Sequence, residues 1–319
     1  MGTKHPIVAV TGSSGAGLST VRHVFKAIFR RLELKAAIVH GDAFRRYTEG
    51  QFDVLLAEAR ANGRSLSWFG PECNHFAELE AFFKDYARTG SGVMREYAHN
   101  PQHAAKLGVP VGEFSNWKPL AAGCDLLFYE GQHAGVVAQT WTRRKVDARH
   151  FPQDMDRRVN ARGVDVAQYV DLLIGVVPAI NLEWIQKIHR DNARGVCPAQ
   201  QTVDTILRRM DDYIHYIVPQ FGLTDINIQR IPLVDTSNPF IARDVPTEDE
   251  SALVVHFRDR ERHDFIELLR RIPGSYMTRP TTMLIPGGRL RHALETICGP
   301  MLAELIGKQR NAVTKPILA

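Results

Sequence analysis

The sequence predicts an α/β protein with a mainly parallel central sheet flanked by helices. Three observations carry that expectation. A glycine-rich turn, Gly12-Ser13-Ser14-Gly15-Ala16-Gly17, joins an apolar run to an amphipathic one near the N-terminus. Apolar runs of strand length then alternate with helix-length amphipathic segments along most of the 319 residues, the pattern of a parallel sheet covered on both faces. Hydrophobic residues make up 44% and charged residues 24% of the chain, enough to build a sizeable core.

Taken in order, His5 to Val10 reads as a short buried strand, with the strand proper at 7–11. Val21, Val24, Phe25, Ile28, Phe29 and Leu32 recur at helical spacing just after the glycines, placing a helix over 19–32. Further strands are expected at 36–40, 126–129, 169–177, 228–234, 252–257 and 283–285. Helices are expected at 52–61, 76–87, 182–193, 202–218, 264–271 and 290–306. Residues 139–166 are polar, basic and poor in pattern, and read as an insertion into what is otherwise one domain spanning 1–319. No internal repeat is present.

Strand, glycine loop and helix in that order make a phosphate-binding loop (P-loop). Successive backbone N–H groups and the positive end of a helix dipole converge on one point, which suits a di- or triphosphate. The cradle comprises Gly12, Ser13, Ser14, Gly15, Ala16, Gly17, Leu18, Ser19 and Thr20. Ser19 stands where the motif's hydroxyl would bind magnesium. The lysine expected just before it is Leu18, which can neither donate to a phosphate oxygen nor offset its charge. The backbone amides do not depend on that side chain.

In a parallel sheet, ligand-binding residues collect at the carboxyl ends of strands. Gly41-Asp42 ends the second strand and Glu130-Gly131 ends the run 125–129. A carboxylate in either place serves a phosphotransferase as metal ligand or base, or else caps a turn. Lys187, Arg190, Asp191 and Arg194 lie at i, i+3, i+4 and i+7 and share one helix face. By themselves they also fit a solvated ion-paired face.

Other function classes find less support. Of the net charge of +5, most lies in residues 140–170, where seven basic residues from Arg143 to Arg162 face four aspartates. That segment has too few aromatics for a nucleic-acid platform, and no nucleic-acid partner is expected. No apolar stretch approaches the ~20 residues that cross a bilayer, and the N-terminus lacks the apolar core of a signal peptide, so a cytoplasmic protein with no membrane partner is expected. Cys73, Cys124, Cys197 and Cys298 are scattered without a C-x-x-C pair, which points to free thiols.

Four separated segments sharpen the reading: Gly41-Asp42-Ala43-Phe44, Phe128-Tyr129-Glu130-Gly131, the run 181–191 (NLEWIQKIHRD) and Asp235-Thr236-Ser237-Asn238-Pro239-Phe240. Together, and in this order, they resemble the bacterial phosphoribulokinase family of the class I, octameric type, over nearly the whole chain apart from the basic insertion. The resemblance implies a P-loop NTPase-like kinase fold and transfer of the ATP γ-phosphate to the 1-hydroxyl of ribulose 5-phosphate, giving ribulose 1,5-bisphosphate for Calvin cycle carbon fixation. It also implies magnesium, a homo-oligomer, activation by NADH and inhibition by AMP.

Through the resemblance Asp42 matches the catalytic base. Glu130 and Asp191 match carboxylates of catalysis or metal binding. Lys187 and Arg190 match cations at the nucleotide or the transferring phosphoryl group, and His99 matches a residue on the sugar-phosphate side. Arg208 and Arg209 resemble basic residues near subunit contacts or effectors. The chain departs from the family at Leu18, usually threonine there, and at Arg45 and Glu49, where the family carries a histidine and an arginine that hold the sugar phosphate. Arg45, with Arg46 beside it, is then a cation available for the acceptor's phosphate, whereas Glu49 repels that phosphate if it faces the site, unless it turns outward; failing compensation by Arg45, the acceptor differs or catalysis is impaired. Two alternatives stay open: a paralogue with another sugar-phosphate or nucleoside acceptor, and a non-catalytic nucleotide-sensing protein.

Overall fold

The computed structural model describes residues 5–12, 18–137, 164–193, 199–240 and 244–314. Strand β1 (Ile7–Gly12) is buried along its whole length. Helix α1 (Leu18–Arg31) follows the glycine loop and ends on Arg30 and Arg31, cations placed against the negative end of its dipole. Next come β2 (Ala36–His40), α2 (Glu49–Ala61), α3 (Phe76–Thr89), β3 (Val93–Met94), α4 (Pro101–Leu107), β4 (Lys118–Pro119) and β5 (Leu126–Gly131). Beyond residue 164 lie β6 (Leu172–Pro178), α5 (Ile180–Ala193), α6 (Ala199–Asp212), β7 (Ile226–Pro232), β8 (Ser251–Phe257), α7 (Phe265–Arg271), β9 (Tyr276–Arg279), β10 (Thr282–Pro286) and α8 (Leu290–Thr314).

Eight strands form one sheet in the order β2-β5-β1-β6-β7-β8-β10-β9. The first five run parallel, and β8, β10 and β9 continue the sheet antiparallel. Alternation along each strand feeds two cores. Val8 and Val10 face α1 and α8 with Phe25, Phe128, Ile174, Leu294 and Ile297. Ile7 and Ala9 face the opposite layer with Phe76, Phe83, Tyr86 and Tyr129.

Several expectations shift. The helix expected from 52 starts at Glu49, because Thr48 caps it with a full capping box to Gln51. The strand expected from 169 begins at Leu172, after a 3₁₀ turn over Ala167–Tyr169. The helix expected at 202–218 starts at Ala199 and passes into a π-helical turn at Tyr213–Ile217. Most of the basic insertion lies outside the described residues. Its last residues are core rather than surface: Val164 and Val166 are fully buried against the second core, and Val137 pairs with Asp165, so the two ends of the segment meet. Among the described residues no helix is long and apolar enough to cross a membrane.

Candidate active site

The chain leaves β1 with β5 on one side and β6 on the other, and a crevice opens where neighbouring crossovers diverge in this way. A cleft of about 680 Å³ lies there. One wall carries Leu18, Arg22 and Lys26 from α1, at i, i+4 and i+8, with His40 and Glu130 from the strand ends. The other carries Asp42, Arg45, Tyr97, His99 and His103.

Two glycine contacts set this geometry. A Cβ on Gly12 would lie 2.7 Å from the Val176 carbonyl and 3.1 Å from Leu18, so β1 and β6 close up only because that position has no side chain. A Cβ on Gly41 would lie 2.9 Å from the Gly131 Cα and 2.7 Å from the Tyr129 hydroxyl. The ends of β2 and β5 therefore abut, and Asp42 and Glu130 each sit one residue from that contact.

Asp42 sits in the 3₁₀ turn Gly41–Phe44. One carboxylate oxygen pairs with Arg45 at 2.7 Å and the other with His99 Nε2 at 2.9 Å. Burial acts to raise this carboxyl, but Arg45 and His99 outweigh it and hold the group well below the usual carboxylate range. The Arg45 guanidinium is itself clamped between the Trp68 ring at 4.6 Å and the Tyr97 ring at 5.2 Å, and Trp68 stacks on Phe52 at 4.0 Å. Arg95 donates to the carbonyls of Ala43 and Arg45 and fixes the turn's backbone.

Glu130 presents a different environment. It is 8% exposed, and its Oε2 lies 3.6 Å from Arg22 Nε, too far for a hydrogen bond. Both atoms are buried without a hydrogen-bond partner. Burial pushes the Glu130 carboxyl up to about 7 despite Arg22. Arg22 donates to the His40 ring at 2.8 Å. Burial and that cation push the His40 imidazole down to about 4, so His40 accepts as a neutral ring.

The remaining expected site residues fall elsewhere. Lys187 Nζ meets Asp191 at 2.5 Å, and Arg190 Nε lies 3.5 Å from the other Asp191 oxygen. Lys187 lines a small groove with Trp184, Arg209 and Tyr213, not the Asp42 cleft. Burial lowers the Lys187 ammonium against the opposing pull of Asp191. Arg209 links the two regions, since it interacts electrostatically with both Asp191 and Arg45. The start of the 181–191 run and the 235–240 segment do meet: Asn181 donates to the Thr236 carbonyl at 3.0 Å, and Trp184 stacks on Phe240.

Arg46 donates to the carbonyls of Pro71 and Asn74 and does not line the cleft. Glu49 is exposed in the first turn of α2, where the helix dipole favours a carboxylate. Leu18 opens α1 and packs against the first core. Thr20 is exposed on α1. Ser13, Ser14, Gly15, Ala16 and Gly17, the Ser19 side chain, Arg194 and Cys197 lie outside the described residues; Cys73, Cys124 and Cys298 are free thiols.

Sequence reasoning missed Arg22 and Lys26, although their i+4 and i+8 spacing from Leu18 marks the helix face that looks at the loop. It also missed Gln220, wholly buried, which accepts from Thr11 and the Gly135 amide and donates to the carbonyls of Gln132 and Tyr216. A lone glutamine before an apolar segment carries no sequence signal for such a junction.

Comparison with known proteins agrees with this architecture. A "Phosphoribulokinase" of Nitrobacter vulgaris is 47% identical over 311 residues, covering 97% of this chain and 99% of the relative. A chromosomal phosphoribulokinase of Cupriavidus necator is 44% identical over 313 residues, covering 98% and 99%. The solved phosphoribulokinase from Rhodobacter spheroides superposes with a TM-score of 0.82 at 42% identity, covering 97% of this chain and 99% of that one. The model of the Phosphoribulokinase / Uridine kinase family matches residues 7–237, and with that match, the near full-length relatives and the P-loop kinase fold, the chain belongs to this family.

Proposed function

We propose that this chain is an ATP-dependent kinase that transfers the γ-phosphoryl group of ATP to ribulose 5-phosphate, a phosphoribulokinase. The observation that carries the reading is Asp42. A carboxylate held by the Arg45 guanidinium and the His99 ring shares one cleft with the helix that follows the glycine loop, and curated phosphoribulokinases match nearly the whole length. Phosphoryl transfer asks little covalent chemistry of the protein, so positioning, charge neutralisation and a base are what it must supply.

The β1–α1 loop would hold the triphosphate, with Arg22 and Lys26 beside it. Asp42 accepts the proton of the attacking hydroxyl. Its ion pair with Arg45 loosens first, and the acceptor's phosphate offers Arg45 an alternative anion in bidentate geometry. Lys187 and Arg190 stand as the more distant cations for the transferred charge, with Asp191 paired between them.

Magnesium fits at Glu130, whose buried oxygen lacks a hydrogen-bond partner and whose carboxylate is hard-cation chemistry. The ion would neutralise charge on the phosphates. Among the described residues no cluster of three or more acidic, histidine or cysteine side chains forms a metal cage, which agrees with an ion held mainly by substrate phosphates and water. The family resemblance further suggests a single-domain cytoplasmic homo-oligomer activated by NADH and inhibited by AMP. Light scattering of the purified protein tests the oligomer, and effector titrations test the NADH and AMP responses.

Purified protein with magnesium and ATP should release ADP only when ribulose 5-phosphate is present. Robust turnover of uridine or another pentose, without ribulose 5-phosphate activity, overturns the assignment. Arg45 favours one second reading, a kinase with a different sugar-phosphate acceptor, because its aromatic clamp fixes a cation beside the base. A panel of sugar phosphates separates the two. ATP binding without transfer to any acceptor would indicate a nucleotide sensor.

A further inference from the structure

His99 and His103 both line the cleft, their rings 6.3 Å apart and within 17° of parallel. His99 is engaged by Asp42. His103 rests its Nε2 on the Glu96 carboxylate at 3.3 Å, and Lys118 occupies the other Glu96 oxygen. The backbone is fixed as well: Asn100 caps α4 by accepting from the His103 amide at 2.9 Å, and the Glu96 amide donates to Ser115 Oγ at 2.9 Å. His103 is thus a built-in part of this wall.

The charges on this wall balance in an informative way. Arg45 and Lys118 offset Asp42 and Glu96, so with both imidazoles neutral the wall carries no net charge. With both protonated it carries two positive charges, equal and opposite to a phosphate monoester dianion. Two stacked imidazolium rings repel each other in an empty cleft, and a dianion seated against them removes that cost. The other titratable neighbours are Tyr97, edge-on to His99 at 4.9 Å, and Glu49, which acts on Tyr97. Across the cleft stand Arg22, Lys26, His40 and Glu130, the first two opposing extra positive charge and the last favouring it.

We propose that His103, seated on Glu96, is a second imidazole ligand for the acceptor's phosphate, and that the acceptor binds as a dianion with proton uptake by the His99–His103 pair. This rests on the reading that the acceptor is a sugar phosphate. It makes His103 a specificity-determining residue that selects for the phosphate ester over the free sugar.

Isothermal titration of the full chain with ribulose 5-phosphate, and separately with inorganic phosphate, in buffers of different ionisation enthalpy measures the uptake directly. Wild type takes up protons. His103→Gln roughly halves that uptake and weakens acceptor binding by about tenfold, the loss of one charge-assisted hydrogen bond, with the kinetic loss falling on KM more than on kcat. His103→Arg, permanently charged, restores affinity without restoring uptake. Should His103→Gln fail to fold, Glu96→Gln keeps the imidazole and still lowers uptake by removing its counter-charge. Wild-type affinity and uptake in His103→Gln, or no uptake by wild type with either ligand, overturns the proposal. Uptake that depends on His103 with inorganic phosphate, in a protein that does not turn over ribulose 5-phosphate, sinks the acceptor assignment instead and leaves this one standing.

Discussion

Asp42 and Glu130 lie in one cleft with opposite ionisation behaviour, set by charged partners at Asp42 and by burial at Glu130. Asp42 has Arg45 on one oxygen and a His99 hydrogen bond on the other and stays ionised, so Asp42→Asn should lower kcat by about 10³-fold while ATP still binds; a coupled ADP-release assay with nucleotide titration checks both. Glu130 has a buried, unpartnered oxygen. Its carboxyl releases its proton near 4.5 in the unfolded chain and near 7 in the folded one. Between those values the folded state holds more protons, so the stability it contributes is complete below pH 4.5 and lost as pH rises to 7. Glu130→Gln should flatten the metal-free protein's pH dependence in that window by roughly 3 kcal/mol, measured by urea unfolding across a pH series. Both carboxylates were legible as candidates in the sequence from their strand-end positions. Their opposite shifts were not, because the pairing of Asp42 with Arg45 and His99 and the burial of Glu130 are both set by folding. Leu18 completes this scale. It packs against the core beside Gly12, so Leu18→Thr should change turnover far less than Lys187→Ala, which removes a cation and should cost on the order of 10²-fold in kcat.

Helix α2 shows how an element serves the site without touching it. Its cap at Thr48 fixes the first turn, Phe52 in that turn supports Trp68, and Trp68 forms one face of the Arg45 clamp. Thr48→Ala should therefore cost about 1 kcal/mol of stability and also raise KM for the acceptor, which denaturant unfolding and steady-state kinetics would detect together. The long amphipathic elements were readable from periodicity alone. Short ones were not: α4 spans seven residues, and β3 and β4 span two each, too few to establish a period. For α4 the Asn100-Pro101 start and the Gly108 stop were present as signals. The charged face of α5 was visible as a face, yet spacing cannot say which groove it overlooks, and it overlooks the one shared with Arg209.

Across the whole molecule, five parallel strands carry the candidate cleft and three antiparallel strands extend the sheet. The apolar runs identified seven of the eight sheet strands and missed the mostly exposed β9, while hand and order depend on crossovers that a single sequence does not display, so the antiparallel extension was not foreseen. The basic insertion enters this frame at a paired point. The Val166 amide donates to the Val136 carbonyl at 2.8 Å, and Val137 bridges Asp165, so the frame itself holds the two ends together. Replacing residues 138–163 with a short glycine-serine link should leave the melting temperature within a few degrees of wild type, since loop-closure entropy changes slowly with length; calorimetry settles this. A large drop would assign the segment a structural role.

The abutting glycines at the ends of β2 and β5 also bear on how such a site can be re-tasked. Because Gly41 and Gly131 approach backbone to backbone with the Tyr129 hydroxyl packed beside both, the separation of the Asp42 and Glu130 backbones is set by that contact and not by the side chains that line the cleft. On the proposed reading the wall of Arg45, His99 and His103 can then be varied while the spacing of Asp42 and Glu130 is kept. The glycine pair works as a fixed gauge, and a designer seeking a kinase for a different phosphate ester would vary Arg45, His99 and His103 and leave Gly41 and Gly131 alone.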